Sequence, residues 1–210
     1  MTTFDLNCRR CPRLATFLDE VKAVNPAYFC RPVPPFGDET LGLLIVGLAP
    51  GLHGANRTGR PFTGDHAGIL LYSTLHKFGF ASAATSVSAD DGLQLRGCRI
   101  TNAVKCLPPA NKPETSEVVE CNSYLSNELS ALPAGTIVLA LGNLAHAAVL
   151  RARKLKAKTY PFAHGARHTL PGGLVLYDSY HCSRYNTKTR RLTEAMFHEV
   201  FRLIRNELEN

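Results

Sequence analysis

The chain is 210 residues long, 45% hydrophobic and 20% charged, with a formal net charge of +7. That size suits one domain with a real core over residues 1–210, and no apolar run approaches the ~20 residues of a membrane-crossing helix. Met1 to Cys8 lack the basic-then-apolar pattern of an export signal, so a soluble cytoplasmic protein with no membrane partner is expected. A pI of about 9.2 fits a nucleic-acid partner without demonstrating one.

The first motif is Cys8-Arg9-Arg10-Cys11, followed by Pro12. Seven cysteines, an odd number, without an export signal do not make a disulfide framework. Two more have readable positions: Cys106, with Pro108-Pro109 after it, and Cys121. Four thiolates suit a structural zinc ion or an iron–sulfur cluster. Zinc sites usually carry a second close pair, which Cys106 and Cys121 do not form. One close pair plus two separate cysteines is compatible with a 4Fe–4S cluster, but spacing alone leaves the metal open. Cys30, Cys98 and Cys182 read as ordinary buried cysteines, Cys98 inside a strand.

Leu41 to Val46 is an apolar run that reads as a buried strand. The next segment, Gly47 to Asp65, is GLAPGLHGANRTGRPFTGD. It is too rich in glycine and proline to extend the strand and is a poor helix. It reads as a loop at a strand end, where α/β proteins place their ligand sites. Its glycines let backbone N–H groups approach a ligand closely. Phe62 and Asp65 close it with an aromatic face and a carboxylate, which suits a flat polar ring such as a nucleobase. A phosphate loop does not fit, because Arg60-Pro61 stand where a lysine and a hydroxyl are needed.

His66 to Gly79 follows as a helix with Ile69, Leu70, Leu71, Leu75 and Phe78 on its apolar stripe. Asp65 is its N-cap and Gly79 its C-cap, and capping is the bland alternative role for Asp65. Ala81 to Gly97 is a polar connection. Cys98 to Val104 is a second strand that delivers Asn102 to the edge carrying the first loop. Asn111 lies in the proline-rich loop Leu107 to Pro113. Asparagine offers a donor and an acceptor, matching the edge of a pyrimidine, although it also serves loop backbone.

Glu114 to Leu132 is a helix with Val118, Val119, Leu125 and Leu129 apolar. Thr136 to Leu141 is a third strand, buried on both faces, and Leu144 to Arg153 a helix. Arg151, Arg153, Lys154, Lys156 and Lys158 form a basic run, either a solvated face or a phosphate contact. Leu174 to Tyr180 is the fourth strand and Thr193 to Leu208 the last amphipathic helix. The alternation implies a three-layer α/β/α sandwich with a central, mostly parallel four-stranded sheet.

The fourth strand runs out into Ser179-Tyr180-His181-Cys182-Ser183-Arg184-Tyr185-Asn186. If the strands are parallel, this loop leaves the same edge as the first and brings His181 towards Asp65 and Phe62.

These residues together resemble the uracil-DNA glycosylase superfamily. The first loop, the HCSRYN segment and the four cysteines are most similar to its iron–sulfur branch, family 5 or type B. The resemblance runs from Cys8 to the helix after Thr193. It implies a four-stranded parallel sheet between helices, and a 4Fe–4S cluster on Cys8, Cys11, Cys106 and Cys121. It also implies a monomeric, nucleoid-associated enzyme that removes uracil, and other deaminated bases such as hypoxanthine, from DNA.

Carried over, the resemblance makes Asp65 and His181 the catalytic pair and Phe62 the stacking aromatic. Asn111 becomes a base-pocket asparagine, and Asn102 stands where the sister family 4 reads uracil. Gly47, Ala49 and Gly51 supply backbone N–H groups to the base. Ala49 and Pro50 replace a polar residue that other branches carry. Arg184 is a candidate for DNA phosphates, and Tyr185 departs from an expected glutamine and would stack or wedge into the duplex.

Three other readings compete. A metal-dependent nuclease would need a close carboxylate cluster, which the strand ends lack. A non-catalytic damaged-DNA-binding module would keep the pocket without turnover. An electron carrier would need a flavin or nucleotide motif that does not accompany the cysteines.

Overall fold

The computed structural model describes residues 4–209. Its first elements are α1 (Pro12–Val24), β1 (Phe36–Gly37), β2 (Leu43–Gly47), α2 (Ala55–Thr58), α3 (His66–Lys77) and β3 (Cys98–Asn102). There follow α4 (Thr115–Ser130), β4 (Ile137–Leu141), α5 (Asn143–Ala152), β5 (Arg167–Thr169), β6 (Val175–Ser179), α6 (Arg184–Lys188) and α7 (Glu194–Leu208).

β2, β4 and β6 are buried at every position, so none has a wet face, and all lie inside one sheet. The strand order is β1-β3-β2-β4-β6-β5. The four inner strands are parallel, as expected, while β1 and β5 add short antiparallel edges. The sheet therefore has six strands rather than four. The two extra strands were not legible because β1 spans two residues behind Pro34-Pro35 and β5 is a polar, largely exposed Arg-His-Thr.

Alternate residues of each inner strand feed opposite helical layers. Leu43 and Ile45 pack in one cluster with Leu71, Leu75, Phe197 and Phe201 of α3 and α7. Leu44 and Val46 pack in another with Leu125, Leu129 and Val149 of α4 and α5. In α7 the buried residues Phe197, Val200, Phe201 and Ile204 follow the helical repeat, and Thr193 caps its start by accepting the Met196 N–H at 3.2 Å. Truncating either buried phenylalanine to alanine would cost about 3–5 kcal/mol.

Several sequence expectations shift. Helix α1 went unread, although Leu14, Ala15, Leu18 and Val21 form a buried stripe and Pro12 suits a first helical position. The first loop contains one helical turn, α2, closed by Gly59 at φ +77°. Ile69 and Val119 are exposed, so the core faces of α3 and α4 are narrower than the apolar residues suggested. The basic run begins where α5 ends, and Arg153 donates to the Pro171 carbonyl near the start of β6. That is the amino edge of the sheet, about 15 Å along α5 from the carboxyl edge. The basic run therefore lies away from the carboxyl edge.

Candidate active site

The inner strands are parallel and in register: Gly47 pairs with Asn102, and Leu141 with Ser179. The loops leaving Gly47 and Ser179 therefore meet above one edge of the sheet.

Phe62 is buried, with φ +54°, a left-handed backbone that a bulky residue rarely adopts. Two glycines make room for it. A β carbon on Gly47 would lie 2.6 Å from Phe62 Cζ, and one on Gly68 would run into the Phe62 carbonyl. Next door, Tyr72 Oη donates to the Pro61 carbonyl at 2.8 Å and ties the turn to the core. The Phe62 ring faces His181, with centroids 6.0 Å apart and planes inclined by 30°.

Asp65 caps α3, its Oδ1 accepting the Gly68 N–H at 2.9 Å. Its Oδ2 faces the chain between Gly51 and Gly54: a β carbon on Gly51 would lie 3.5 Å from it, and one on Gly54 would overlap the carboxylate. The cap thus engages one oxygen, and the other is directed at the loop. Burial raises the Asp65 pKa, opposed by the Gly68 and Ala67 amides.

His181 is half-buried, and desolvation pushes its pKa down to about 4. At neutral pH it is therefore an uncharged imidazole with one N–H and one lone pair. Its carbonyl accepts Asn186 Nδ2 at 2.8 Å, and Ser183 Oγ accepts the Asn186 N–H at 3.3 Å to start α6. Gly142, at φ +98°, packs under the imidazole stem; a β carbon there would lie 3.3 Å from His181 Cβ. His66 Nε2 and Thr187 Oγ1, 3.0 Å apart, join the two loops.

Asn102 is buried at the end of β3, and its Oδ1 has no hydrogen-bond partner among the described residues. That oxygen and the Phe62 ring converge on Gly47. A buried acceptor left unpaired costs ~1–3 kcal/mol, which a ligand N–H would relieve.

Other expected residues are placed differently. Asn111 stands at the exposed tip of the turn Pro109–Asn111, at φ +57°, without a side-chain hydrogen bond among the described residues. Ala49 packs against the cluster of Leu14, Val104, Cys121 and Tyr124. Arg184 and Tyr185 open α6 and are exposed, Tyr185 by 72%. Cys98 and Cys182 are core residues, and Cys30 is half-buried beside Asn56 Nδ2 at 3.4 Å.

The sequence reading missed Gly68, Gly142 and Asn186, which hold Phe62 and His181 in place. It also missed a cleft beside His181 formed by Leu48, Gly142, Phe162, Tyr180, Asn186 and Arg191. There Tyr180 stacks on His164 at 5.0 Å, and the Arg191 guanidinium lies 4.8 Å from the Tyr180 ring. Only Asn186 carried a signal, from its place in the HCSRYN segment.

Cys8, Cys11, Cys106 and Cys121 line one small cavity with Leu14 and Tyr124. Burial, then the neighbouring thiols, pushes Cys11 up to about 11 and raises Cys106 further. Burial raises Cys8 less than the Tyr124 hydroxyl and Arg10 lower it, so its thiol falls below the ordinary value. A single tetrahedral zinc ion would need sulfurs ~3.8 Å apart. Among the described residues, the group of histidine, cysteine and carboxylate ligand atoms lying within 4.8 Å of one another is His146, His168 and Asp178, not these four. Their cavity suits a group larger than one ion.

The family model for the uracil DNA glycosylase superfamily matches residues 34–205. The Type-5 uracil-DNA glycosylase of Thermus thermophilus is 48% identical over 198 residues, covering 92% of this chain and 90% of that protein. The Type-5 uracil-DNA glycosylase of Pyrobaculum aerophilum is 45% identical, covering 94% and 87%. The Type-4 uracil-DNA glycosylase of Pyrobaculum aerophilum is more distant, 35% identical over 73% of this chain and 69% of its own. This chain belongs to the uracil DNA glycosylase superfamily.

Proposed function

We propose that this protein removes uracil from DNA by hydrolysing the bond between deoxyribose C1′ and the base nitrogen, leaving an abasic site. The observation that carries this reading is the meeting of Phe62, Asp65, Asn102 and a neutral His181 at one sheet edge. The activity for which the Type-5 relatives are named supports it.

The target nucleotide must leave the duplex, at a cost of a few kcal/mol. Arg184, Lys188, Arg190 and Arg191 cluster on the segment after β6 and hold phosphates there. Tyr185, beside Arg184, meets the bases flanking the gap. The flipped ring stacks on Phe62, while Asn102 and the N–H groups from Gly47 to Gly51 read its edge.

Bond breaking leaves positive charge on the sugar and negative charge on the base, an oxocarbenium-like transition state. His181 donates its one N–H to the base, and a neutral donor needs no titration near pH 7. Asp65 Oδ2 faces the sugar cation and orients water, its other oxygen being occupied by the Gly68 amide.

Cys8, Cys11, Cys106 and Cys121 would hold a 4Fe–4S cluster. When bound, it supplies a cross-link between the N-terminal segment and the β3–α4 region, closing ~95 residues of chain. Other deaminated bases such as hypoxanthine enter the same pocket, because Ala49 and Pro50 place no polar group there. The enzyme acts as a monomer on damaged DNA in the cytoplasm.

The test is incubation with duplexes carrying one uracil opposite guanine, in EDTA, followed by alkali. Uracil-dependent, alkali-dependent nicking is expected. An intact uracil strand combined with magnesium-dependent nicking of a cytosine control would replace this reading with a nuclease.

A further inference from the structure

A second polar cluster lies between α5, β5 and β6, one turn of α5 from Gly142 and three residues before His181. Asp178 and His146 are buried there, and the His168 side chain is 14% exposed. His146 Nδ1 is 2.7 Å from Asp178 Oδ1, and His168 Nε2 is 3.5 Å from Asp178 Oδ2. One ligand atom from each of the three lies within 4.8 Å of the others.

The hydrogens decide what this cluster can be. The Tyr160 carbonyl can only accept, so His146 Nε2, 2.9 Å away, carries a hydrogen. In the neutral tautomer His146 Nδ1 then presents a lone pair to a carboxylate oxygen that also has only lone pairs. Neither Asp178 Oδ2 nor His168 Nε2 has a hydrogen-bond partner among the described residues. A buried arrangement of acceptor against acceptor needs a proton or a metal cation between them. A carbonyl holding the far ring nitrogen is the usual support for a histidine whose near nitrogen binds a metal.

We propose that His146 Nδ1, Asp178 and His168 Nε2 form a binding site for a zinc-type divalent cation. Two imidazoles and one carboxylate suit that ion. The 2.7 and 3.5 Å contacts bracket the ~3.3 Å between ligands of a tetrahedral site with 2.0–2.1 Å bonds. The ion fastens the edge strand β5 and helix α5 to β6, whose continuation carries His181. It is separate from the four-cysteine cavity and from Asp65, so its role is structural.

The test uses the full chain and zinc alone as the probe. Zinc and iron are counted by mass spectrometry after zinc exposure and desalting, for the wild type and His168→Ala, and both are melted with and without zinc. His168 sits on a short edge strand, so the variant should fold; equal circular dichroism and iron content verify that. The wild type should retain one more zinc equivalent than His168→Ala and melt about 5 °C or more higher at 100-fold excess over Kd. The ring nitrogens of His146 and His168 should shift in the nitrogen-15 spectrum of the wild type on zinc addition. Equal zinc retention in the two proteins, or His146 doubly protonated and unchanged by zinc, would overturn the proposal and leave an imidazolium–carboxylate pair.

Discussion

The Gly68 amide binds one oxygen of Asp65, Oδ1 at 2.9 Å, while Oδ2 of the carboxylate that starts α3 faces the Gly51–Gly54 backbone. This division of labour predicts that two substitutions at one position will separate. Asp65→Asn keeps a good N-cap and loses the charge, so its melting temperature should stay close to wild type. Its single-turnover rate should fall by about 10²–10⁴. Asp65→Ala should lose a similar rate and also ~1 kcal/mol of stability. If Asp65→Asn excises uracil at the wild-type rate, the acid is a cap and nothing more.

His181→Ala should lower the single-turnover rate by about 10²–10³, the usual worth of one well-placed donor. A rate unchanged by the substitution would remove His181 from the chemistry.

The buried imidazole also predicts a stability effect with a definite sign. Its folded pKa of about 4 lies below the ordinary histidine value of 6.5. Between those two values the unfolded chain binds the proton and the folded chain does not, so this residue makes the protein less stable as pH falls from 6.5 towards 4. Melting temperature followed over that range should decline more steeply in wild type than in His181→Ala. Parallel curves would mean that the imidazole is not desolvated.

Gly47→Ala places a methyl against the Phe62 ring and Asn102 Oδ1. The Phe62 ring must move, so KM for a uracil-containing duplex should rise while the fold survives a cost of about 1–3 kcal/mol. Because Gly142→Ala instead presses on His181, it should lower kcat more than it raises KM. The same KM-to-kcat pattern from both variants would contradict the separate positioning roles.

Cys8→Ala removes one thiol of the four-cysteine cavity, which lies beside α1 and α4 and not against Asp65 or His181. Thermal stability should drop by several degrees while the chemical step, measured at a temperature where the variant is folded, changes less than tenfold. Full stability with lost catalysis is the result that would reverse this assignment.

Much of this protein was readable along the chain. Uniformly apolar runs such as Leu43–Val46 and Ile137–Leu141 have only one stable home, the interior of a parallel sheet, and the glycine-rich loop and HCSRYN segment marked its carboxyl edge. Local capping was equally legible, because Asp65 and Thr193 act within three residues of themselves. Tertiary structure alone decided which partners those residues meet. Register brought Gly47 beside Asn102, and the left-handed turn at Phe62 set its ring towards His181; only packing reveals that Gly68 and Gly142 leave the needed space. The burial that keeps His181 uncharged depends on neighbours far away in sequence. So does the meeting of His146, His168 and Asp178, since lone histidines on a helix and an edge strand announce nothing until β6 is laid between them.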